Sequence, residues 1–124
     1  MEDIILEARR EYPAVSFKTN GELSIEGYSY PEHLDNFYQP LVNFASLLEC
    51  REVHFRIYLE YMNTGSAKYL LNILRAIEGN NNINSVNIEW HYDTDDEEYL
   101  EQGEMLEDLL EKCRFTFYEN MLVE

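Results

Sequence analysis

The residue types best able to bind a metal or act as nucleophiles are the three histidines and two cysteines. His54 and His91 lie on two separate strand-like segments. Glu89 or Glu60 could complete a metal site with them, because zinc accepts imidazole and carboxylate ligands. Cys50 precedes the His54 segment, but no third group is placed to orient a Cys–His pair. We therefore favour surface histidines and reduced thiols, and we expect no bound metal or cofactor.

A second feature is a long run of acidic residues from Asp93 to Glu111, which meets its first basic residue at Lys112. Its first acids match liganding positions of a calcium-binding loop. However, Glu98 occupies the position where the sharp turn of such a loop requires glycine. We interpret the run as an acidic helix. Its repulsion between like charges could be incidental, which we favour, or its outer face could dock a basic partner.

The third feature is a cluster of hydroxyl and amide side chains between a strand pattern and a helix pattern. Asn63, Thr64 and Ser66 are all residue types that cap helix N-termini. A simple cap is one interpretation. The other is phosphorylation of a hydroxyl here, because backbone N–H groups and the helix dipole favour an added phosphate. Lys68, one turn into the helix, could pair with that phosphate.

Length and charge restrict the classes of protein. The chain has 124 residues, enough for a single domain over 1–124 and too few for two. It carries 25 acidic against 9 basic residues, a net charge of −16, which repels nucleic acids and anionic membranes. No apolar run is long enough to span a bilayer, and the N-terminus lacks a signal-peptide pattern. We therefore expect a cytoplasmic protein that binds neither nucleic acid nor membrane.

Five segments alternate between apolar and polar residues as half-buried strands do. The clearest covers 53–61, with Val53, Phe55, Ile57, Leu59 and Tyr61 on its inner face. Segment 85–92 repeats the pattern, and weaker patterns cover 14–18, 22–27 and 115–119. The opposite face should be open to water or to a partner; it carries His54, Arg56, Tyr58, Glu60, Asn87, Glu89 and His91.

Three helix patterns fill the gaps, over about 31–49, 66–78 and 95–112. Ser29 and Thr94 each precede a glutamate by three residues, which predicts two capping boxes. The third helix should pack through Tyr99, Leu106, Leu109, Leu110 and Cys113.

The element order β-β-α-β-α-β-α-β predicts a two-layer α/β fold. Its sheet should be mixed, mostly parallel and five-stranded, with three helices on one face. Asn20-Gly21 predicts a hairpin between the first two strands. The sequence does not decide the structure of residues 1–11, because Ile4–Leu6 could form an extra edge strand or a docking arm. The expected core comprises Phe17, Leu23, Ile25, Phe37, Leu41, Phe55, Ile57, Leu59, Leu70, Leu74, Val86, Ile88, Trp90, Leu106 and Leu110.

Four motifs, in this order, resemble the SiaC family of bacterial regulatory phosphoproteins. They are Ser29-Tyr30-Pro31-Glu32, Tyr61-x-Asn63-Thr64-x-Ser66, Trp90-His91-Tyr92, and the acids 95–97 followed by Gly103-Glu104. Members of the family are similar to the STAS domains of anti-sigma factor antagonists, which implies a STAS-like sandwich. The resemblance also implies a non-enzymatic switch in a partner-switching pathway. In that pathway a serine/threonine kinase phosphorylates a threonine and a PP2C-type phosphatase reverses the reaction. The unphosphorylated form binds and activates a diguanylate cyclase.

Carried over to this chain, the resemblance makes Thr64 the phosphoacceptor and Ser66 the fallback acceptor. Gly65 stands where the family more often has serine, which loosens the loop. The implied phosphosite surroundings and partner contact are Tyr61, Met62, Asn63, Gly65, Ser66, Lys68 and Tyr69. The alternative function is a constitutive interaction or scaffold module that uses the open sheet face or the acidic third helix.

Overall fold

The computed structural model describes residues 1–121 and places six strands and three α-helices within them. In chain order these are β1 Ile4–Leu6, β2 Ala14–Phe17, β3 Glu22–Ser29, α1 Leu34–Leu47, β4 Glu52–Met62, α2 Thr64–Glu78, β5 Ser85–Asp93, α3 Glu97–Leu109 and β6 Cys113–Asn120.

The strands form one sheet whose spatial order follows the sequence, from β1 to β6. β1, β2 and β3 pair antiparallel, whereas β3, β4, β5 and β6 pair parallel through the helical connections. A mixed, mostly parallel sheet with three helices is therefore confirmed. The predicted strand count of five was wrong, because Ile4–Leu6 pairs with β2 as a sixth, edge strand.

The predicted hairpin is present between β2 and β3. Gly21 has a φ of +96°, a backbone conformation that glycine adopts without steric cost. Its N–H donates to the Lys18 carbonyl at 3.0 Å, and its own carbonyl accepts from the His54 N–H at 2.9 Å. The turn thus closes the hairpin and attaches it to the start of β4.

The core lies between the sheet and the helices. Of the fifteen predicted core side chains only Leu106 is not buried; it is half-buried against the core. Phe17 packs edge-on against Phe55 at 5.4 Å between ring centroids, which joins β2 to β4. Among the described residues three polar side chains are also buried, namely Ser29, Ser66 and Asn80, the last just beyond the end of α2. The Asn80 side-chain amide donates to the carbonyls of Ala45 and Leu48 at 3.0 and 2.8 Å.

The inward-facing assignment of Tyr61 was wrong. In the β3–β4 ladder Gly27 pairs with Leu59, but the next residue, Tyr28, pairs with Tyr61, so Glu60 is left without a partner. Such a β-bulge reverses the alternation of the residues that follow it. Tyr61 is consequently 53% exposed.

Both predicted capping boxes were wrong. Ser29 belongs to β3 and is fully buried, while α1 begins at Leu34 after His33, whose side chain makes no capping hydrogen bond. At α3 the capping residue is Asp96, whose carboxylate accepts from the Tyr99 N–H at 3.0 Å. Thr94 instead donates its hydroxyl to the Asn120 carbonyl at 3.1 Å. In each case the hydroxyl forms a different hydrogen bond: that of Ser29 with Tyr38 and Ser66 of the helices, and that of Thr94 with the carbonyl of Asn120 in β6.

The acidic helix is shorter than predicted, and its inner face differs. Leu110 follows its last residue and Cys113 begins β6, so neither packs as part of the helix. Leu109 is 57% exposed. The helix is attached mainly through its first half, where Tyr99 stacks on Trp90 at 4.5 Å. The Trp90 indole N–H also donates to the Tyr99 carbonyl at 3.0 Å.

No helix within residues 1–121 is long and apolar enough to cross a bilayer.

Replacing Gly103 with alanine should destabilise the fold. A Cβ at Gly103 would lie 2.6–2.8 Å from three atoms of the Trp90 indole, which is fully buried. Overpacking of this kind costs about 1–3 kcal/mol, more than the ~1 kcal/mol that alanine gains over glycine in a helix. Urea denaturation followed by Trp90 fluorescence measures the change. Gln102→Ala, at an exposed neighbouring position, should be nearly neutral, and equal midpoints for the two variants would contradict this packing.

Candidate functional site

The hydroxyl cluster lies where β4 gives way to α2. The backbone of Asn63 is extended, and its side-chain oxygen accepts from the Ser66 N–H at 2.8 Å. Asn63 is therefore the helix cap. Thr64 is the first residue of α2 and is exposed. The helix N-terminus thus carries a hydroxyl residue that an enzyme can reach.

Ser66, the fallback acceptor, has the opposite environment. It is fully buried, and its hydroxyl donates to the Ser29 carbonyl at 3.1 Å while accepting from the Ser29 hydroxyl at 2.8 Å. A kinase could reach this oxygen only after the start of α2 had detached from β3. The two candidate acceptors are therefore not equivalent.

The other residues around the predicted site divide between two sides. Gly65 packs against Leu34 of α1, where a Cβ would overlap the end of the leucine side chain. Tyr69 hydrogen-bonds Asp35 of α1 through its hydroxyl. Lys68 is exposed and points away from this contact, into a groove between α2 and α3.

This α2–α3 groove, of about 240 Å³, has six apolar side chains among the nine that line it. Its lining residues are Met62, Thr64, Ala67, Lys68, Leu71, Gln102, Met105, Leu106 and Leu109. Met105 and Leu109 are 64% and 57% exposed. Thr64 therefore lies at the rim of an exposed apolar surface.

The sequence did not predict the groove as a site. Its periodicity assigned Leu106 and Leu109 to the inner face of the third helix, whereas Leu106 is only half-buried against the core and Leu109 is exposed. A usable signal was Met105, an apolar residue within the acidic helix, at a position that the helix pattern had not assigned to the core.

Tyr61 lies on the other side of the same junction. Its ring meets that of Tyr30 edge-on at 6.0 Å, and Tyr28, its partner in β3, is 50% exposed. Met62, the next residue, faces the α2–α3 groove. The bulge in β4 thus changes which side each residue takes: Tyr61 lies on the surface and Met62 faces the groove immediately before the start of α2.

The histidine pair predicted on the open sheet face does come together. His54 hydrogen-bonds one oxygen of Glu89, and His91 lies 3.0 Å from the other. Partial burial tends to raise the pKa of Glu89, but the two imidazoles outweigh it and lower the pKa. Over the described part of the chain, no three His, Cys, Asp or Glu side chains are arranged to hold a metal ion. The absence of a bound metal or cofactor stays a prediction.

Cys113 and the first acids of the acidic run are part of the fold itself. Burial raises the pKa of Cys113 to about 12, so this thiol is not ionised near neutral pH. Asp93 accepts from the Tyr58 hydroxyl at 2.6 Å, which raises the pKa of Tyr58 to about 12. Because Asp93 is engaged within the sheet and Asp96 caps α3, the first acids of the run do not converge on a cation.

Comparison with known proteins gives one family. The model of the SiaC family of regulatory phosphoproteins matches residues 6–120. Apo-SiaC from Pseudomonas aeruginosa superposes with a TM-score of 0.77 at 25% identity, over 97% of this chain and 99% of that chain. A second match has a TM-score of 0.77 at 26% identity, over 97% of this chain and 100% of that one. It comes from the complex of the diguanylate cyclase SiaD with its activator SiaC, also from P. aeruginosa. No curated protein sequence gives a significant match.

Replacing Asn63 with alanine should lower the free energy of unfolding by about 1 kcal/mol, since an asparagine cap satisfies an otherwise unpaired N–H. Chemical denaturation measures the loss. Asn72→Ala is the matched control, because Asn72 is exposed within the same helix and alanine is there the better helix former. A loss of stability in Asn72→Ala equal to that in Asn63→Ala would show that the cap contributes nothing.

Proposed function

The chain belongs to the SiaC family of regulatory phosphoproteins and is a regulatory protein rather than an enzyme. We propose that it is a cytoplasmic switch phosphorylated on Thr64 by a serine/threonine kinase and dephosphorylated by a PP2C-type phosphatase. In this proposal its unphosphorylated form binds and activates a diguanylate cyclase. The support comes from P. aeruginosa, where SiaC is the activator of the diguanylate cyclase SiaD and forms a complex with it. The observation that carries the proposal is the position of Thr64, which is both exposed and part of the α2–α3 groove.

A phosphate on Thr64 is compatible with the fold. The first residue of a helix lies at the positive end of the helix dipole, where negative charge is stabilising. Lys68, one turn further along the groove, offers a cation. The side chain that caps α2 belongs to Asn63 and not to Thr64. A phosphate on Thr64 therefore does not displace the cap. Phosphorylation should therefore change the surface and leave the core intact.

The same phosphate is unfavourable for a partner seated in the groove. It adds about −1.5 to −2 charges at pH 7, next to the apolar side chains of Met62, Ala67 and Leu71. Covering the groove would then require partial dehydration of a dianion, which is costly without a compensating cation. A loss of only ~3 kcal/mol weakens binding more than about a hundredfold.

The charge of the groove indicates the chemistry of that partner. Within α3, residues Glu97–Leu109, there are six acidic residues and no basic one. The proposed cyclase surface therefore has apolar side chains for the groove and basic residues only on the side that faces α3, where they meet complementary charge, and none opposite Thr64. The burial of Ser66 favours Thr64 as the acceptor, since a kinase can reach Thr64 without opening the helix.

Thr64→Ala should abolish phosphorylation and leave cyclase binding nearly unchanged. Thr64→Asp should weaken binding by about tenfold, a partial imitation of the dianion, at an unchanged melting temperature. Intact-mass spectrometry of protein from the source organism and binding titration with its diguanylate cyclase measure the two effects. Thr19→Ala, at another exposed threonine, is the control.

Two results would contradict the assignment. One is stoichiometric phosphorylation of Thr64→Ala by the kinase. The other is equal affinity of the phosphorylated and unphosphorylated proteins for the cyclase. The second result would favour the alternative, a constitutive interaction module that uses the open sheet face or α3.

Met105→Glu should weaken cyclase binding at least about tenfold, because it places a charge in the apolar groove. Leu47→Glu is a closely matched control: Leu47 is 65% exposed on α1 and Met105 is 64% exposed on α3, but only Met105 lines the groove. Equal affinities for the two variants would place the cyclase elsewhere on the surface.

A further inference from the structure

Three hydroxyl groups are buried together beneath the first turn of α2. Ser29 at the end of β3, Tyr38 in α1 and Ser66 in α2 are all fully buried. The Ser29 hydroxyl hydrogen-bonds both the Tyr38 hydroxyl and the Ser66 hydroxyl. The three side chains form a buried hydroxyl triad that links a strand to two helices directly below Thr64.

The triad fixes the residues on both sides of Thr64. The Ser29 carbonyl accepts from the Asn63 N–H at 3.0 Å and from the Ser66 hydroxyl at 3.1 Å. Asn63 in turn accepts from the N–H groups of Ser66 and Ala67, at 2.8 and 3.0 Å. Residues 63–67 are therefore held in one conformation by bonds that converge on the last residue of β3.

A second layer of contacts supports the triad from α1. The rings of Tyr38 and Tyr69 stack at 5.4 Å with an interplanar angle of 11°. Tyr69 hydrogen-bonds Asp35 on the outside, and Leu34 packs against Gly65. Burial raises the pKa of Tyr38, so its hydroxyl keeps its proton near neutral pH. These contacts attach the first turn of α2 to α1 as well as to β3.

An all-apolar contact would bury this junction without the need to satisfy three hydroxyl groups. Apolar packing, however, is not directional, whereas hydrogen bonds restrict the rotation and register of the segment they hold. This additional constraint acts on the segment that carries the proposed phosphoacceptor. It is therefore a reason to connect the triad with the phosphorylation of Thr64.

We propose that Ser29 and Tyr38 are positioning residues for the modification of Thr64, an inference that rests on the proposed function. They hold 63–67 in the folded, capped conformation that the kinase recognises. In the transfer itself, a nucleoside triphosphate donates its γ-phosphoryl group. The Thr64 hydroxyl oxygen forms the new P–O bond, the bond to the leaving diphosphate breaks, and the hydroxyl proton passes to a base of the kinase.

The test compares two buried tyrosines. Tyr38→Phe removes the hydroxyl that anchors the triad. Tyr99→Phe removes another buried hydroxyl, which accepts from the Leu59 N–H at 3.2 Å and is not a member of the triad. Amide hydrogen exchange of Asn63, Ser66 and Ala67 reports the local effect. Initial rates with ATP and the kinase purified from the source organism report the functional one.

In Tyr38→Phe, exchange at the three amides should accelerate about tenfold, as expected when a buried hydrogen bond loses its partner. The kcat of phosphorylation should fall by about the same factor, while KM for ATP stays unchanged. Tyr99→Phe should lose comparable thermal stability and change neither quantity. If Tyr38→Phe does not fold, Ser29→Ala serves in its place, because it removes the central hydroxyl and keeps the Ser29 carbonyl.

The outcomes separate the two levels of the proposal. Unchanged exchange and unchanged kcat in Tyr38→Phe and Ser29→Ala, with normal phosphorylation of the wild type, would overturn only the positioning role. A faster kcat in these variants would also overturn it, since the kinase would then act on an unfolded segment. A wild-type protein that the kinase does not phosphorylate on Thr64 would overturn the proposed function itself.

Discussion

A mostly parallel sheet covered by helices on only one face imposes the constraint on which the rest of the structure depends. Every strand must place apolar residues on alternate positions, because a single shift of phase would move its whole apolar set into water. The constraint is strictest in β4, which lies between β3 and β5 and buries Val53, Phe55, Ile57 and Leu59. The same constraint leaves the opposite face free for polar pairs such as Arg56 with Glu26, 2.6 Å apart. Pairs of this kind contribute little to stability, so the fold rests on the buried face.

The proposed functional region lies at the end of β4, where the strand departs from this alternation. The bulge at Glu60 changes the phase of β4 beyond the end of the core. Tyr61 then lies on the surface beside Tyr30, and Met62 faces the α2–α3 groove. Because Asn63 caps α2 at the next position, the strand, the groove and the helix N-terminus meet within a few residues. One local irregularity thus brings the exposed hydroxyl of Thr64 to the edge of an apolar surface.

The sequence predicted those parts of the molecule that follow from periodicity. The alternation in 53–59 and 85–92 identified the strands and their buried faces, and the Asn-Gly pair identified the hairpin. It failed where two local signals competed. Ser29 matched a capping box, but its hydroxyl is more favourably used in the core with Tyr38 and Ser66. Leu109 fitted the helical stripe, but α3 is attached near Trp90 and its second half is left exposed. Neither outcome can be read from spacing, because each depends on contacts between residues distant in the chain.

The proposed switch needs a phosphoacceptor whose side chain is exposed to solvent and whose backbone segment is held in one conformation. If Thr64 were part of the core, a phosphate would unfold the protein. If its segment were loose, the added charge could turn away from the groove and a partner would still bind. The structure meets both requirements, because the hydroxyl triad holds 63–67 from below while Thr64 remains exposed above. The net charge of −16 strengthens the effect: within the groove only Lys68 opposes a new dianion, so the cation that would neutralise it must come from the partner. In the proposed switch, a cyclase with no cation opposite Thr64 would be released, whereas a phosphatase that supplies one would still bind.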